Sequence, residues 1–476
     1  MYGQLMPLGY EYAQMPQQLW VPEQQLQQQQ WAQPPLGAYA HPMYGGYSLP
    51  SPIPPPPPPP PRALVVCALI GDTEECGKRL PAVDGNFPTD ALNSPYERRR
   101  AILRALGLNL NLSVAAADLF GGRFNLAPVE WLEDSFELAL LAHEQGLLTY
   151  LDTAWERWVA LAEMRPPDFC CEADLEAAHA AARPPALVPA NGLFRDGLQL
   201  PGRSVLSQAC FYHADRFTPI FAGLREALLS DLAVVRTAVD ALAYPRPSPH
   251  TPPPPPVYAM VAHPGHHATG STSGGFCYLN NAAIAARLLQ RKAREAGLDE
   301  ARCRVGVLDV DYHAGNGTIS IFYEDPSVFV ASLHAEPDTE YPFNSGFSQQ
   351  RGAGAGEGAT LCLPLAPYTT WSKSSPAEPN GETYEQALRR ALDAIVQHGA
   401  QALVVSLGVD TFRHDPVHLP GAGCKLELED FEAIGAVLAE ARLPTLLLQE
   451  GGYMPDVAGA AVCKVLSGML HALDLS

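Results

Sequence analysis

Short apolar runs alternate with longer stretches of helical spacing along most of this chain, and the alternation sets the first expectation about its fold. Residues 63–70 (ALVVCALI), 257–262, 305–310, 328–333, 402–409 and 445–449 are apolar runs of strand length. Such runs suit strands buried on both faces of a parallel sheet. Between them, residues 95–106, 129–164, 217–242, 281–296, 383–397, 429–441 and 457–473 place apolar side chains at three- and four-residue steps, which predicts helices. Residues 183–210 and 346–358 read as loops rich in Gly or Pro. Strands alternating with helices predict an α/β domain, a parallel sheet with helices on both faces.

Four of the predicted strands run into polar residues. His266 and His267 follow one, Asp309, Asp311 and His313 close another, Asp410 ends a third and Tyr453 follows a fourth. In an extended chain Asp309, Asp311 and His313 fall on one side, two residues apart. Buried carboxylates and imidazoles are costly unless paired or bound to metal. In an open α/β sheet the carboxyl ends of the strands open into the ligand crevice. A lone Asp there is usually a helix cap; four such ends meeting in one crevice point to a site.

Composition then divides the chain. Residues 1–62 hold the glutamine tract 24–30 and the proline run 54–61, and such a segment buries too little apolar surface to offset its ordering entropy. It is expected to be disordered, leaving residues 63–476 as one catalytic-sized domain. A net charge of −20 argues against nucleic acid or an anionic membrane as a direct partner, and suits a cationic ligand. No run reaches membrane-spanning length and no secretory signal is evident. The ten cysteines lack CxxC spacing and read as free thiols of a reducing compartment, the cytoplasm or the nucleus.

Two Asp and one His make a hard O/N set for zinc or iron(II) with positions left open for water and substrate. Such a metal lowers the pKa of a bound water and polarises a carbonyl. His266 and His267 supply a base and an acid, and Tyr453 in its Gly-Gly turn can donate to an oxyanion. Together these describe amide hydrolysis.

The motifs PGHHA (264–268), GGFCYLNNAAIA (274–285), DVDYHAGNGT (309–318), SLHAEP (332–337), GAGAGEG (352–358), SLGVDTF (406–412) and EGGY (450–453) are collinear. With them the chain from about residue 63 onward resembles the arginase/deacetylase superfamily, within it the histone deacetylase family, and most of all the acetylpolyamine amidohydrolases. The resemblance implies a single deacetylase-like domain. It also implies zinc held by Asp311, His313 and Asp410, and tandem histidines His266 and His267 with the second as general base and acid. Asp309 would orient the first histidine, Asn316 would face the second, and Tyr453 would be the catalytic tyrosine. It further implies potassium near Asp309, Asp311, His313, Ser332 and Leu333, and another at Phe322, Asp325 and Val328. Asp215, in ADRFTP, matches a substrate-orienting aspartate, and Gly275 and Phe276 fall in a substrate-contacting motif. Asp196 is a weaker candidate of the same kind.

The departures are Ala262-His263-Pro264 where the family has Arg-Pro-Pro, Ala314 in place of a second histidine, and the loop 183–210. The implied substrate is a small cationic acetylated amine, with acetyl-lysine of proteins such as histones as the alternative; a homodimer is allowed for. A non-catalytic protein on the same scaffold would be expected to have lost a ligand or the tyrosine. A two-metal ureohydrolase would want further carboxylates where Thr411, Phe412 and Asn316 stand.

Overall fold

The computed structural model describes residues 63–67, 95–106, 124–127, 129, 135–163, 186–189, 199–246, 248, 250–419 and 421–474. The tail 1–62, expected to be disordered, and Asp196 lie outside the described residues. Among the described residues one sheet is formed by β1 (Ala63–Cys67), β2 (Phe124–Ala127), β3 (Val257–Met260), β4 (Val305–Asp309), β5 (Val328–Ala335), β6 (Thr360–Leu365), β7 (Ala402–Leu407) and β8 (Thr445–Gln449). Its order is β2-β1-β3-β8-β7-β4-β5-β6, and all pairings are parallel.

Among the described residues the α-helices are α1 (Pro95–Ala105), α2 (Gln145–Glu163), α3 (Val205–Tyr212), α4 (Leu224–Ala241), α5 (Asn281–Glu295), α6 (Asn316–Phe322), α7 (Tyr384–Gln397), α8 (Asp430–Glu440) and α9 (Pro455–Ala472). Strand alternation divides the core in two. Val257, Ala259, Val305, Val307 and Val404 pack with α4 and α5, while Tyr258, Met260, Leu308, Leu403 and Val405 pack with α7, α8 and α9. Because both faces are covered, the strands read as continuous apolar runs. Local signals fix several helix starts: Asn280 accepts from Ala283 N–H at the head of α5, and Thr383 with Gln386 forms a capping box on α7. No helix among the described residues is long and apolar enough to cross a membrane.

The differences from expectation have local causes. The helix expected over 217–242 begins only at Leu224, after Gly223 at φ 84°. Upstream, Asp215 Oδ1 accepts Phe217 N–H at 2.8 Å, a turn that competes with helix, and Ile220 bridges to Leu187. Inside the expected loop 183–210, Ser204 caps α3. The strands β2 and β6, at the two edges, have no counterpart in the expected set; Pro364 lies in β6, an edge position that tolerates a residue without N–H.

The chain leaves β3 and re-enters the sheet at β4, and β8 and β7 later fill the two places between. The reversal of strand order opens a crevice at the carboxyl ends of these four strands.

Candidate active site

Strand β4 ends at Asp309, so the alternation expected to align Asp309, Asp311 and His313 stops there and a chain of turns takes over. Asp309 Oδ1 accepts Asp311 N–H at 3.1 Å, and Asp311 Oδ1 accepts His313 N–H at 2.9 Å. From the β7 side, Asp410 Oδ1 accepts Tyr312 N–H at 3.0 Å; from the β8 side, Gly451 N–H donates to Asp311 Oδ2 at 2.8 Å. A Cβ on Gly451 would lie 2.6 Å from that same oxygen, so this turn requires glycine.

Ligand atoms of Asp311, His313 and Asp410 all lie within 4.8 Å of one another, with all three residues buried. His313 Nδ1 is 3.2 Å from Asp311 Oδ1 and 3.4 Å from Asp410 Oδ2. Asp410 Oδ2 is buried with no well-formed hydrogen bond, only that His313 contact, a cost that a cation between these groups would remove. A divalent ion therefore fits the cradle. His266, Cys277 and Glu450 form a second close group. Glu450 Oε1 is likewise buried without a partner, but burial pushes the Cys277 thiol well up, away from thiolate, so this group fits a metal less well.

The rings of the tandem histidines lie 3.9 Å apart, tilted by 43°, and their pKa values are pushed in opposite directions. His266 Nδ1–H donates to Asp309 Oδ2 at 2.9 Å, and His267 Nδ1–H donates to Asn316 Oδ1 at 2.7 Å. Burial works to lower the His266 pKa, but Asp311 and Asp309 outweigh it and hold the ring well above the ordinary value. For His267 burial dominates, joined by the charges of His266 and His313, and the pKa falls well below the ordinary value. Burial, then Asp410 and Asp311, push the Tyr453 hydroxyl up, so it stays a donor. One wall thus carries two tied imidazole rings, a neutral phenol and a cation cradle.

A profile of the histone deacetylase domain matches residues 140–469. The chain belongs to the histone deacetylase family. It is 35% identical over 332 residues to acetylpolyamine amidohydrolase 1 of Pseudomonas aeruginosa, spanning 70% of this chain and 82% of that one. Against the acetylpolyamine amidohydrolase of Mycoplana ramosa the figures are 33% over 336 residues, with 70% and 83% covered. The crystal structure of an acetylpolyamine aminohydrolase from Burkholderia pseudomallei superposes with a TM-score of 0.62 at 25% identity, covering 86% of this chain and 99% of that one.

On this histone deacetylase fold the remaining expected residues take the following places. Asp309 pairs in register with Ser332 of β5, whose hydroxyl contacts His334 Nδ1 at 2.8 Å, and Leu333 is buried beside it. Phe322 closes α6, Val328 opens β5, and Asp325 between them is engaged by Arg287 at 2.6 Å. Gly275 and Phe276 both have positive φ, 57° and 67°, and the Phe276 ring lies 6.1 Å from Tyr453.

Several neighbours of the site escaped sequence reasoning. Asp415 accepts Tyr453 N–H at 2.9 Å and so sets the backbone of that turn; burial, then Asp410, push it up to about 8. His418 Nε2–H donates to the Asp410 carbonyl at 2.6 Å. Arg98 of α1 reaches Ala262 O at 3.2 Å, so an arginine does come to the stretch where the family's own is replaced, from another element. Tyr341 lies edge-on to His267, with centroids 4.8 Å apart. Only the Asp-Pro pair at 415–416 carries a local signal, that of a turn.

Proposed function

We propose that this protein is a zinc-dependent amidohydrolase that removes acetyl from acetylated polyamines, with acetyl-lysine side chains of proteins as the second class of substrate. The observation that carries the reading is the three-donor cradle beside two histidines whose Nδ1 atoms are tied to Asp309 and Asn316. Asp311, His313 and Asp410 would hold the ion, and two oxygens with one nitrogen suit zinc. When bound, zinc supplies Lewis acidity toward the scissile carbonyl and the attacking water. A potassium ion near the backbone of Asp309, Asp311, His313, Ser332 and Leu333 belongs to the same reading.

The chain's own residues do the rest. His267 is neutral and its Nδ1 is committed to Asn316, so Nε2 is the atom that takes a proton from water and returns it to the leaving amine. His266, tied through Nδ1 to Asp309, is oriented beside the developing oxyanion. Tyr453 O–H donates to that oxyanion, an interaction worth about 3–4 kcal/mol when one such donor is lost.

The relatives named as acetylpolyamine amidohydrolases support the substrate class, and so does the net charge of −20, which favours a cationic amine. The test is hydrolysis of N-acetylputrescine, acetylspermidine and an acetyl-lysine peptide side by side with zinc-loaded protein. The polyamines should show the higher kcat/KM. Cleavage of the peptide alone would transfer the assignment to protein deacetylation, and cleavage of none would end it.

A further inference from the structure

One carboxylate outside the floor ties together two loops that press on His267. Asp215 Oδ1 accepts Phe217 N–H at 2.8 Å and Thr218 Oγ1–H at 3.2 Å. Its Oδ2 accepts Gly275 N–H at 2.5 Å and Tyr341 O–H at 3.2 Å. A carboxylate has about four lone-pair directions, and here four internal donors take them. A substrate ammonium would have to displace one of them.

The loops so tied form the outer wall of the His267 ring. Tyr341 meets it edge-on at 89°. Gly275, at φ 57°, lies so close that a Cβ there would run into His267 Cδ2. Thr218 Oγ1, itself bonded to Asp215, accepts Phe276 N–H at 3.1 Å and fixes the next residue of the same loop. Asn316 on Nδ1 and the tilted His266 ring, its centroid 3.9 Å away, hold the ring from the other sides.

We infer that Tyr341 and Asp215 form a brace for His267: Tyr341 is a positioning residue acting through that ring, and Asp215 is a scaffold carboxylate that does not read substrate charge. This rests on the reading of His267 as the proton-transfer group. It also reverses the role that the family resemblance implies for Asp215. Proton transfer needs Nε2 within hydrogen-bond reach, and a displacement of about 1 Å can cost about a hundredfold. Asp215→Asn cannot keep the brace whole, because its NH2 must face either Gly275 N–H or Phe217 N–H, and neither can accept.

The test compares the full-length zinc-loaded protein with Tyr341→Phe, Tyr341→Ala and Asp215→Asn on N-acetylputrescine and on the uncharged N-butylacetamide. Tyr341→Phe, which keeps the ring and loses one hydroxyl, should lower kcat about fivefold on both substrates with KM within about twofold. Tyr341→Ala and Asp215→Asn should lower kcat on both by about fiftyfold. Carbethoxylation of His267 by diethylpyrocarbonate, followed by mass spectrometry, should be faster in Tyr341→Ala than in wild type. A KM rise confined to acetylputrescine in Asp215→Asn would make Asp215 a charge reader and overturn the brace, as would unchanged kcat in both Tyr341 variants. If wild type hydrolyses neither amide, the acetylputrescine reading falls separately, and the three-substrate comparison decides the rest of the proposed function. The His267 modification rate then decides the brace alone, and an unchanged rate in Tyr341→Ala sinks it.

Discussion

At the floor of the cleft, Asp309, Asp311, His313 and Asp410 stand within four residues of the ends of β4 and β7, and none is more than 6% exposed. Backbone N–H groups of adjacent turns fix all three carboxylates, so the geometry follows from the turns that the strand order brings together. At the rim, Asp215, Gly275 and Tyr341 come from segments 60 and 126 residues apart, joined through one half-buried side chain. The floor is set by the sheet and the rim by a few long-range hydrogen bonds. Changes at the floor should therefore delete chemistry, and changes at the rim should grade it.

The largest effect is expected at the floor. Asp410→Ala removes the carboxylate whose Oδ2 lacks a well-formed hydrogen bond, and purified protein should lose most of its zinc by elemental analysis. Its kcat/KM should fall by about a thousandfold, the loss of several kcal/mol of charge stabilisation. Asp215→Ala, at the rim, should keep its zinc. Equal metal loss in both variants would erase the distinction between the regions.

A smaller effect separates backbone from side chain at the rim. Gly275→Ala places a methyl group against His267 and forces an L-residue to φ 57°. The conformation alone costs about 1–2 kcal/mol, and the pushed ring should lower kcat by about a hundredfold with zinc retained. Wild-type kcat in Gly275→Ala would show that the rim does not hold the ring.

The same division decides how much could be read from the sequence. The floor was legible because polar residues at the ends of apolar runs are rare enough to stand out, as with Asp309, Asp311 and His313 after Val305. Even there the reason offered was incomplete. Side-chain alternation ends with Asp309, and what aligns the rest is hydrogen bonding to the turns after β7 and β8. Tyr341 gave no signal, since its partners are His267 and Asp215, both remote in sequence. His418 was silent too: besides its bond to the Asp410 carbonyl, its ring stacks on Tyr312, which is remote in sequence. The edge strands β2 and β6 were missed because four residues, or six with a proline, fall below what an apolar pattern can mark. The start of α4 was misplaced because the Asp215 turn competes with helix.

The smallest expected effect concerns the supports beneath both regions, and it appears as a pH dependence of stability. His143 Nδ1–H donates to Thr269 O at 3.0 Å, and its Nε2 accepts Asn280 N–H at 2.8 Å, so it braces the loop that carries the tandem histidines. His334 Nε2–H donates to Gly346 O at 2.8 Å, and its Nδ1 accepts from Ser332 beside Asp309. Each ring spends one nitrogen as an acceptor, so each must be neutral. Burial lowers both from 6.5 to about 4. With the folded pKa below the unfolded one, the unfolded chain takes up the proton first on acidification. The stability these rings contribute is thus complete above about pH 6.5 and is lost progressively down to about pH 4. Between pH 7.5 and pH 6.0 the loss should be about 0.8 kcal/mol for each ring, seen as a lower urea midpoint at the lower pH. His143→Gln removes one titrating group and should flatten the pH dependence, whatever it does to stability at pH 7.5. If the midpoint moves as steeply with pH in His143→Gln as in wild type, the support under the tandem histidines does not titrate as its hydrogen bonds require.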